Sequence, residues 1–516
     1  MHLVDWMILG GYLVAMIAMG WHIARRHAAS DAHDFFLARR SMPAWAVTMS
    51  AIATTYSAGT FIGVPEISYK GNLTFMTLKL GEIVAILLVA FVILPPLYRA
   101  GTMTIYGYLG KRFGEGASRA ASVVFLGGAF LAMSARVFIT SIPVSLAMYG
   151  DIALRHLIVT ILLIGAVGTI YTAAGGIRAV IWTDVFQTII MLGAAFMCLW
   201  LLFDMIPLSC REMVAALRDA DGGNKLKAID TTFDLSSPYT IWGAVLAFAF
   251  SKMAGKGVDH DHVQRLLTCG SVRKAGGSAI ASVLISIPII LLFLVIGLLL
   301  SIFYRRPDLM GAAAPVDVVD DSRQVFAQFL ITHLPTGFRG LTIAGVFAAT
   351  MSSFDSIVNA TASSVVGDLY GPWKARRSGR DVSEIEGNAS RLTTMVMGVV
   401  FTAGAVLAAV MQSRGGQTLI SFAMGILAYG HAGLLGVFLT GILTRRGNVR
   451  TVVAALIVGA LSVLAMQPFV MPHWSGWIFG TKLTLAWTWW TVIGGTLSFL
   501  VCVSGRRNGK IGSESQ

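Results

Sequence analysis

Apolar stretches without a charged residue recur from one end of the chain to the other, and residues 185–203, 275–304, 392–413 and 483–505 are four of them. Each is long enough to cross about 30 Å of hydrocarbon as a helix. In a bilayer every backbone N–H and C=O must find a partner inside the protein, so only helices and closed barrels can span it. A barrel needs short alternating segments of about ten residues, and the sequence has none. The predicted class is an all-α integral membrane protein. Composition agrees: 516 residues that are 56% hydrophobic and 13% charged, with a mean hydropathy of +0.74, carry too few charges to solvate a surface in water.

We place about thirteen spans, near 3–24, 43–69, 76–98, 118–148, 152–172, 179–204, 238–257, 275–304, 337–366, 390–412, 416–443, 450–468 and 483–505. The first apolar stretch, Leu3 to Gly20, has no basic residue ahead of it and is followed by Arg25 and Arg26, the reverse of a cleavable signal peptide. It is expected to stay as a span with its N-terminus outside. The inner loops then collect Arg25/Arg26/Arg39/Arg40, Arg99/Lys111/Arg112/Arg119, Lys374/Arg376/Arg377/Arg380, Arg445/Arg446/Arg450 and Arg506/Arg507/Lys510, as the positive-inside rule requires. The expected location is the cytoplasmic (inner) membrane, multi-pass, with the C-terminus cytoplasmic. This placement accounts for the net charge of +13 without a nucleic-acid partner. Cys198, Cys210, Cys269 and Cys502 show no paired spacing, so neither a disulfide framework nor a zinc site is indicated. No GxxxxGK[ST], HExxH or kinase motif appears, which removes support for ATP-driven transport and membrane proteolysis; the chain is not read as an enzyme.

Two spans read poorly as continuous helices. In the second, "ATTYSAGTFIGVPE" puts five hydroxyl residues and two glycines ahead of Pro65; the seventh ends in "SKMAGKGVDHDH". The two lie five spans apart, in corresponding positions if spans 2–6 and 7–11 are inverted five-helix repeats. A helix that unwinds at mid-membrane frees carbonyls, which is tolerated only where they bind something or line a cavity. Close packing of small residues is the plainer alternative. The organisation predicted is an extra N-terminal span (1–30), a transporter core (31–448, repeats at about 43–204 and 238–443), two C-terminal spans (449–505) and a cytoplasmic tail (506–516).

Several ordered segments resemble the sodium:solute symporter family. They are "FFLARRSMPAWAVTMSAIATTYSAGTFIG", "LPPLYRAGTMTIYGYLGKRFG", "YTAAGGIRAVIWTDVFQ", "VDHDHVQRLLTC", "AATMSSFDSIVNATASSVVGDLY" and "GLLGVFLTGILTRRGN", and together they run from about Asp34 to Asn448. Gly107 and Gly433 stand where many relatives carry glutamate and proline, away from the expected ion ligands. The resemblance implies inverted repeats with broken helices and sodium as the coupling ion, with no other cofactor. The partners it implies are sodium, a small-molecule solute and the lipid bilayer.

By the same resemblance the sodium ligands are the carbonyls of Ala53, Tyr56 and Ala349 and the hydroxyls of Ser352 and Ser353. Oxygen donors of this kind suit a hard cation, although a serine in a membrane helix can equally bond back to its own carbonyls. A carboxylate in an apolar span is costly and has a partner or an ion. Asp184 is either an interfacial cap or part of an inner sodium path. Asp355 shares a helix face with Ser352, so Asp184, Ser352, Asp355 and Ser356 form a second sodium site, or the two carboxylates share a proton. Ser57, Thr60, Glu82 and Arg136 are the expected solute-binding groups. Lys79, one turn before Glu82, offers a simple ion pair near the outer interface instead. Arg136 presents a fork suited to a carboxylate, or it pairs with Glu82 or another acid. His260, His262 and His431 are read as solvated or capping. The function expected is sodium-coupled symport by alternating access. The solute expected is an organic anion such as a carboxylate, with a sugar or polyol second; a channel and a membrane-embedded sensor are the competing classes.

Overall fold

The computed structural model describes residues 2–26, 29, 31–220, 223–311, 325–378, 387–413 and 417–506, without the side chains of 58, 147, 378, 387 and 412–428. Arg380, Arg507 and Lys510 of the basic clusters lie outside the described residues, as does the tail beyond Arg506. Among the described residues helices are the only extended regular elements, and they form thirteen crossings. Some are single helices, such as Leu3–Arg26, Glu115–Tyr149 and Val272–Arg305. The third crossing runs from Leu73 to Ala100 through a wide π turn at Val89–Ile93. Gly387–Ser413, Gln417–Leu443, Val449–Ala465 and Trp490–Ser504 complete the C-terminal part.

The fifth and sixth crossings are two helices that follow one another across a kink without a loop between them, Leu154–Met205, 52 residues in all. A straight helix of that length extends roughly 78 Å, more than twice the hydrocarbon thickness. The chain turns at Gly176 (φ 57°, ψ −152°). Only glycine suits that backbone, and a Cβ there would stand 2.5 Å from Phe35 O.

The two interruptions foreseen in the sequence are present. The second crossing consists of Ala44–Thr55 and Ala58–Lys70, separated by Tyr56 and Ser57 in extended conformation (ψ 93° and 170°). The seventh runs through Gly243–Phe248 and Ala249–Gly257, breaks at Val258 and Asp259, and resumes as His260–Leu267. Because five crossings separate the breaks, an odd number, the second five enter the bilayer from the opposite side to the first five: the two repeats are inverted.

The ninth crossing, Phe338–Ser364 with a further π turn at Val365–Tyr370, is the centre of the molecule. Every residue from Thr342 to Ser364 is buried. Its sequence, rich in Gly, Ala, Ser and Thr, explains this: small side chains let neighbours approach on all faces. It packs on the Leu154–Met205 hairpin, on Ala44–Thr55 and on the first crossing. Asp5 of the first crossing accepts hydrogen bonds from Gly337 N (2.8 Å) and Gly340 N (2.9 Å), capping the ninth helix from another segment.

Candidate functional site: oxygens and charges at two helix breaks

The last turn of Ala44–Thr55 ends at the break, so its carbonyls have no amide one turn ahead to accept from. The ninth helix brings hydroxyls to them. Ser352 Oγ lies 3.3 Å from Ala53 O and 3.2 Å from Ala349 O, and Ser353 Oγ lies 3.4 Å from Ala349 O. Four of the five expected ligands thus form one cluster. The fifth, Tyr56, sits in the break itself, its hydroxyl donating to Ser286 O at 2.8 Å. The donors are neutral oxygens from two segments, a set that fits an alkali cation and lacks the nitrogen or sulfur that transition metals favour.

One turn along the ninth helix lies a second buried cluster. Ser50 Oγ donates to Asp184 Oδ2 at 2.5 Å, and Tyr171 Oη donates to Asp355 Oδ2 at 2.5 Å. Asp184 is fully buried, well inside its helix rather than at its start. Between the carboxylates stands Arg265, a residue to which the sequence reading gave no role. Its Nε lies 2.8 Å from Ser50 Oγ and 3.5 Å from Asp184 Oδ2; its Nη1 donates to Asp261 O and Oδ1 (2.7 and 2.9 Å); its Nη2 donates to Ser356 Oγ. Ser356 also lies 3.3 Å from Asp355 Oδ1. Asp184, Asp355 and Ser356 are therefore joined, through a guanidinium.

The expected solute groups divide. Ser57 and Thr60 are half-buried at the break. Glu82 is buried, 1% exposed. It pairs with Lys79 (2.6 Å) and with Lys256 of the seventh crossing (3.3 Å). Lys256 Nζ also donates to Thr55 Oγ1 at 3.1 Å, which ties both broken helices together. This approach is possible because position 81 is glycine: a Cβ there would stand 2.0 Å from Ala244 O. Arg136 is half-buried and, among the described residues, makes no ion pair with Glu82 or any other acid. Of the histidines, His431 Nε2 meets Asp259 Oδ2 (3.0 Å) and His260 Nε2 meets Ser363 Oγ (2.7 Å), while the buried Nδ1 of His260 has no hydrogen-bond partner among the described residues.

The profile of the sodium:solute symporter family matches residues 35–459. The chain belongs to that family. Among its family relatives, the sodium/sialic acid symporter SiaT of Proteus mirabilis (strain HI4320) is 27% identical, the match covering 90% of this chain and 89% of that one. The sodium/iodide cotransporter of Homo sapiens is 26% identical over 87% of this chain and 68% of its own. A solved Na+-coupled sialic acid symporter in a substrate-bound outward-open state superimposes on the symporter with a TM-score of 0.80 at 25% identity, covering 98% of this chain and 97% of that one. This sodium:solute symporter is a multi-pass membrane protein with the family's inverted-repeat fold.

Proposed function

We propose that this symporter carries a small organic anion, such as a carboxylate, across the cytoplasmic membrane by alternating access, with the cluster of Ala53, Tyr56, Ala349, Ser352 and Ser353 as its sodium site. The observation that carries the reading is the meeting of Ser352 Oγ with Ala53 O and Ala349 O across the break of the second span. Neither span supplies enough oxygens alone, so sodium binding favours the arrangement in which both are apposed. A solute bound by Ser57 and Thr60, on the same break, senses that arrangement. This is coupling in its simplest form: two ligands stabilise one conformation and each tightens the other. The basic residues flanking the binding region favour an acid as solute, and relatives named as sodium/sialic acid symporters are consistent with that.

Asp184, Asp355 and Ser356 form a second cation locus in this reading. Asp184 and Asp261 both face Arg265, and Asp355 rests on a phenol. One fixed positive charge serves three carboxylates there, and a mobile sodium or proton supplies the balance. The number of ions matters, because one sodium moving down 100 mV gains about 2.3 kcal/mol, which for a neutral solute is a ratio of about fiftyfold; each negative charge on the solute cancels one such gain, so an anion is driven by voltage only when the cations outnumber its charges. In the bilayer we take the N-terminus as external and the C-terminus as cytoplasmic, with 1–30 and 449–505 as additions to the core of 31–448.

The test is uptake into proteoliposomes with an imposed sodium gradient. Uptake is expected to saturate, to cease when choline replaces sodium, and to fall at least tenfold in Ser352→Ala/Ser353→Ala. Uptake indifferent to sodium that survives the double variant would sink the reading. Replacing the sodium gradient by a pH gradient separates sodium from proton at the second locus.

A further inference from the structure

The break of the seventh helix separates that helix's two lysines from its two aspartates. Before it stand Lys252 and Lys256; after it stand Asp259, Asp261 and Arg265. On the lysine side Lys79 joins from the third span, and the single acid there is Glu82. Lys79 Nζ lies 2.6 Å from Glu82 Oε2 and 2.9 Å from Ser286 Oγ, and 6.0 Å from the ring centroid of Tyr56. Lys256 Nζ lies 3.3 Å from Glu82 Oε1. Lys252, one turn earlier, is half-buried against the Phe248 ring at 5.1 Å and, among the described residues, has no ion pair.

Other acids within the spans are engaged elsewhere. Asp184 and Asp261 face Arg265, Asp259 faces His431, and Asp355 faces Tyr171. Asp368 accepts from Thr104, Ser118, Ser122 and Ser364. Asp5 caps the ninth helix and Glu66 pairs with Lys70. No acid occurs between 412 and 443. Two ammonium groups therefore share one carboxylate beside Thr55, with a third lysine one turn away that has no ion pair among the described residues, in a region where an uncompensated charge is costly.

We infer that the solute supplies the missing counter-charge: it is an organic acid with at least two negative groups, held by Lys252 and Lys256 at the break of the seventh span. This inference rests on the organic-anion reading and narrows it. Glu82 then positions Lys79 and Lys256 rather than touching the solute as its principal partner. A monocarboxylate would leave at least one of the lysines without a counter-charge, and a neutral sugar would leave both.

The symporter in lipid nanodiscs is titrated with butyrate, succinate, tricarballylate and glucose at matched ionic strength, in sodium and in choline, and thermal stability is read. Succinate or tricarballylate is expected to stabilise in sodium at concentrations at least tenfold below those butyrate needs. Lys256→Gln and Lys252→Gln are each expected to remove most of that advantage while leaving the sodium-dependent shift intact. Lys252→Gln, at a half-buried site without an ion pair, keeps the test valid if Lys256→Gln does not fold. Butyrate acting as well as succinate, or a succinate response unchanged in both variants, overturns the inference and leaves the organic-anion reading standing. Stabilisation by glucose in sodium overturns both. If no acid of the panel responds in sodium, the inference is overturned, and a surviving shift with sodium alone retains the sodium site.

Discussion

Arg265 is the residue through which most of the buried charge is organised. A guanidinium presents its donors in a fixed fork, and here they reach Ser50, Asp184, Asp261 and Ser356, residues of the second, sixth, seventh and ninth spans. Removing one member of such a set leaves the others charged and unpaired. Arg265→Gln is expected to cost about 3–5 kcal/mol of stability, and Arg265→Lys nearly as much, because a point ammonium cannot reach several partners at once. Denaturation in detergent measures both; a loss below 1 kcal/mol for Arg265→Gln would show the network to be loose. Little in the sequence points to this residue. In "VDHDHVQRLLTC" it reads as one charge among several on a short helix, and its partners at Ser50 and Ser356 are 215 and 91 positions away. Ser352 and Ser353 enter through the family resemblance; as adjacent hydroxyls in a membrane helix they read equally well as bonds to their own carbonyls.

At the scale of elements, the breaks were legible because their cause is local. Hydroxyls, glycines and charges that a lipid-facing helix avoids were concentrated at Thr54–Gly63 and at Ser251–His262, and the chain unwinds at Tyr56–Ser57 and Val258–Asp259. How elements approach one another was not legible. Gly81 looks like any small residue in a membrane helix, yet it lets the third span touch the carbonyl of Ala244 and so brings Glu82 to Lys256. Gly81→Val is expected to push the two spans apart and abolish sodium-driven uptake, while Gly127→Ala, where a Cβ meets open space, is expected to be silent. Equal activity in the two variants would refute the argument. Asp5 was hidden for another reason: at the start of the first apolar stretch it reads as a terminal charge, but it caps the ninth helix. Asp5→Ala is expected to cost about 1 kcal/mol and to speed amide exchange at Gly337 and Gly340 ahead of the rest of that helix. Unchanged exchange at those two amides would reject the capping role.

For the molecule as a whole, stability depends on how the loop between the sixth and seventh spans is fastened. Lys225 donates to the carbonyls of Tyr69 (2.8 Å) and Gly71 (3.1 Å), closing the C-terminal end of the second span. Burial, with the nearby charge of Arg305, pushes its ammonium down to about 8. An unfolded chain keeps lysine protonated up to about 10.4. Between those values the unfolded chain binds more protons, so this group makes stability rise with pH from about 8 to about 10.4. Melting curves of the protein and of Lys225→Met are expected to diverge across that window, with the unmodified protein gaining on the variant as pH rises; parallel curves would remove Lys225 from the account.

The turn at Gly176 has a mechanical side. Between the fifth and sixth spans there is no loop, only a single reversed residue at the kink between two helices. Slack is absent, so neither arm of this hairpin can tilt or slide without dragging the other. A displacement felt at Tyr171 on one arm must arrive at Asp184 on the next, so that Asp355, which Tyr171 holds, and Asp184 move in step.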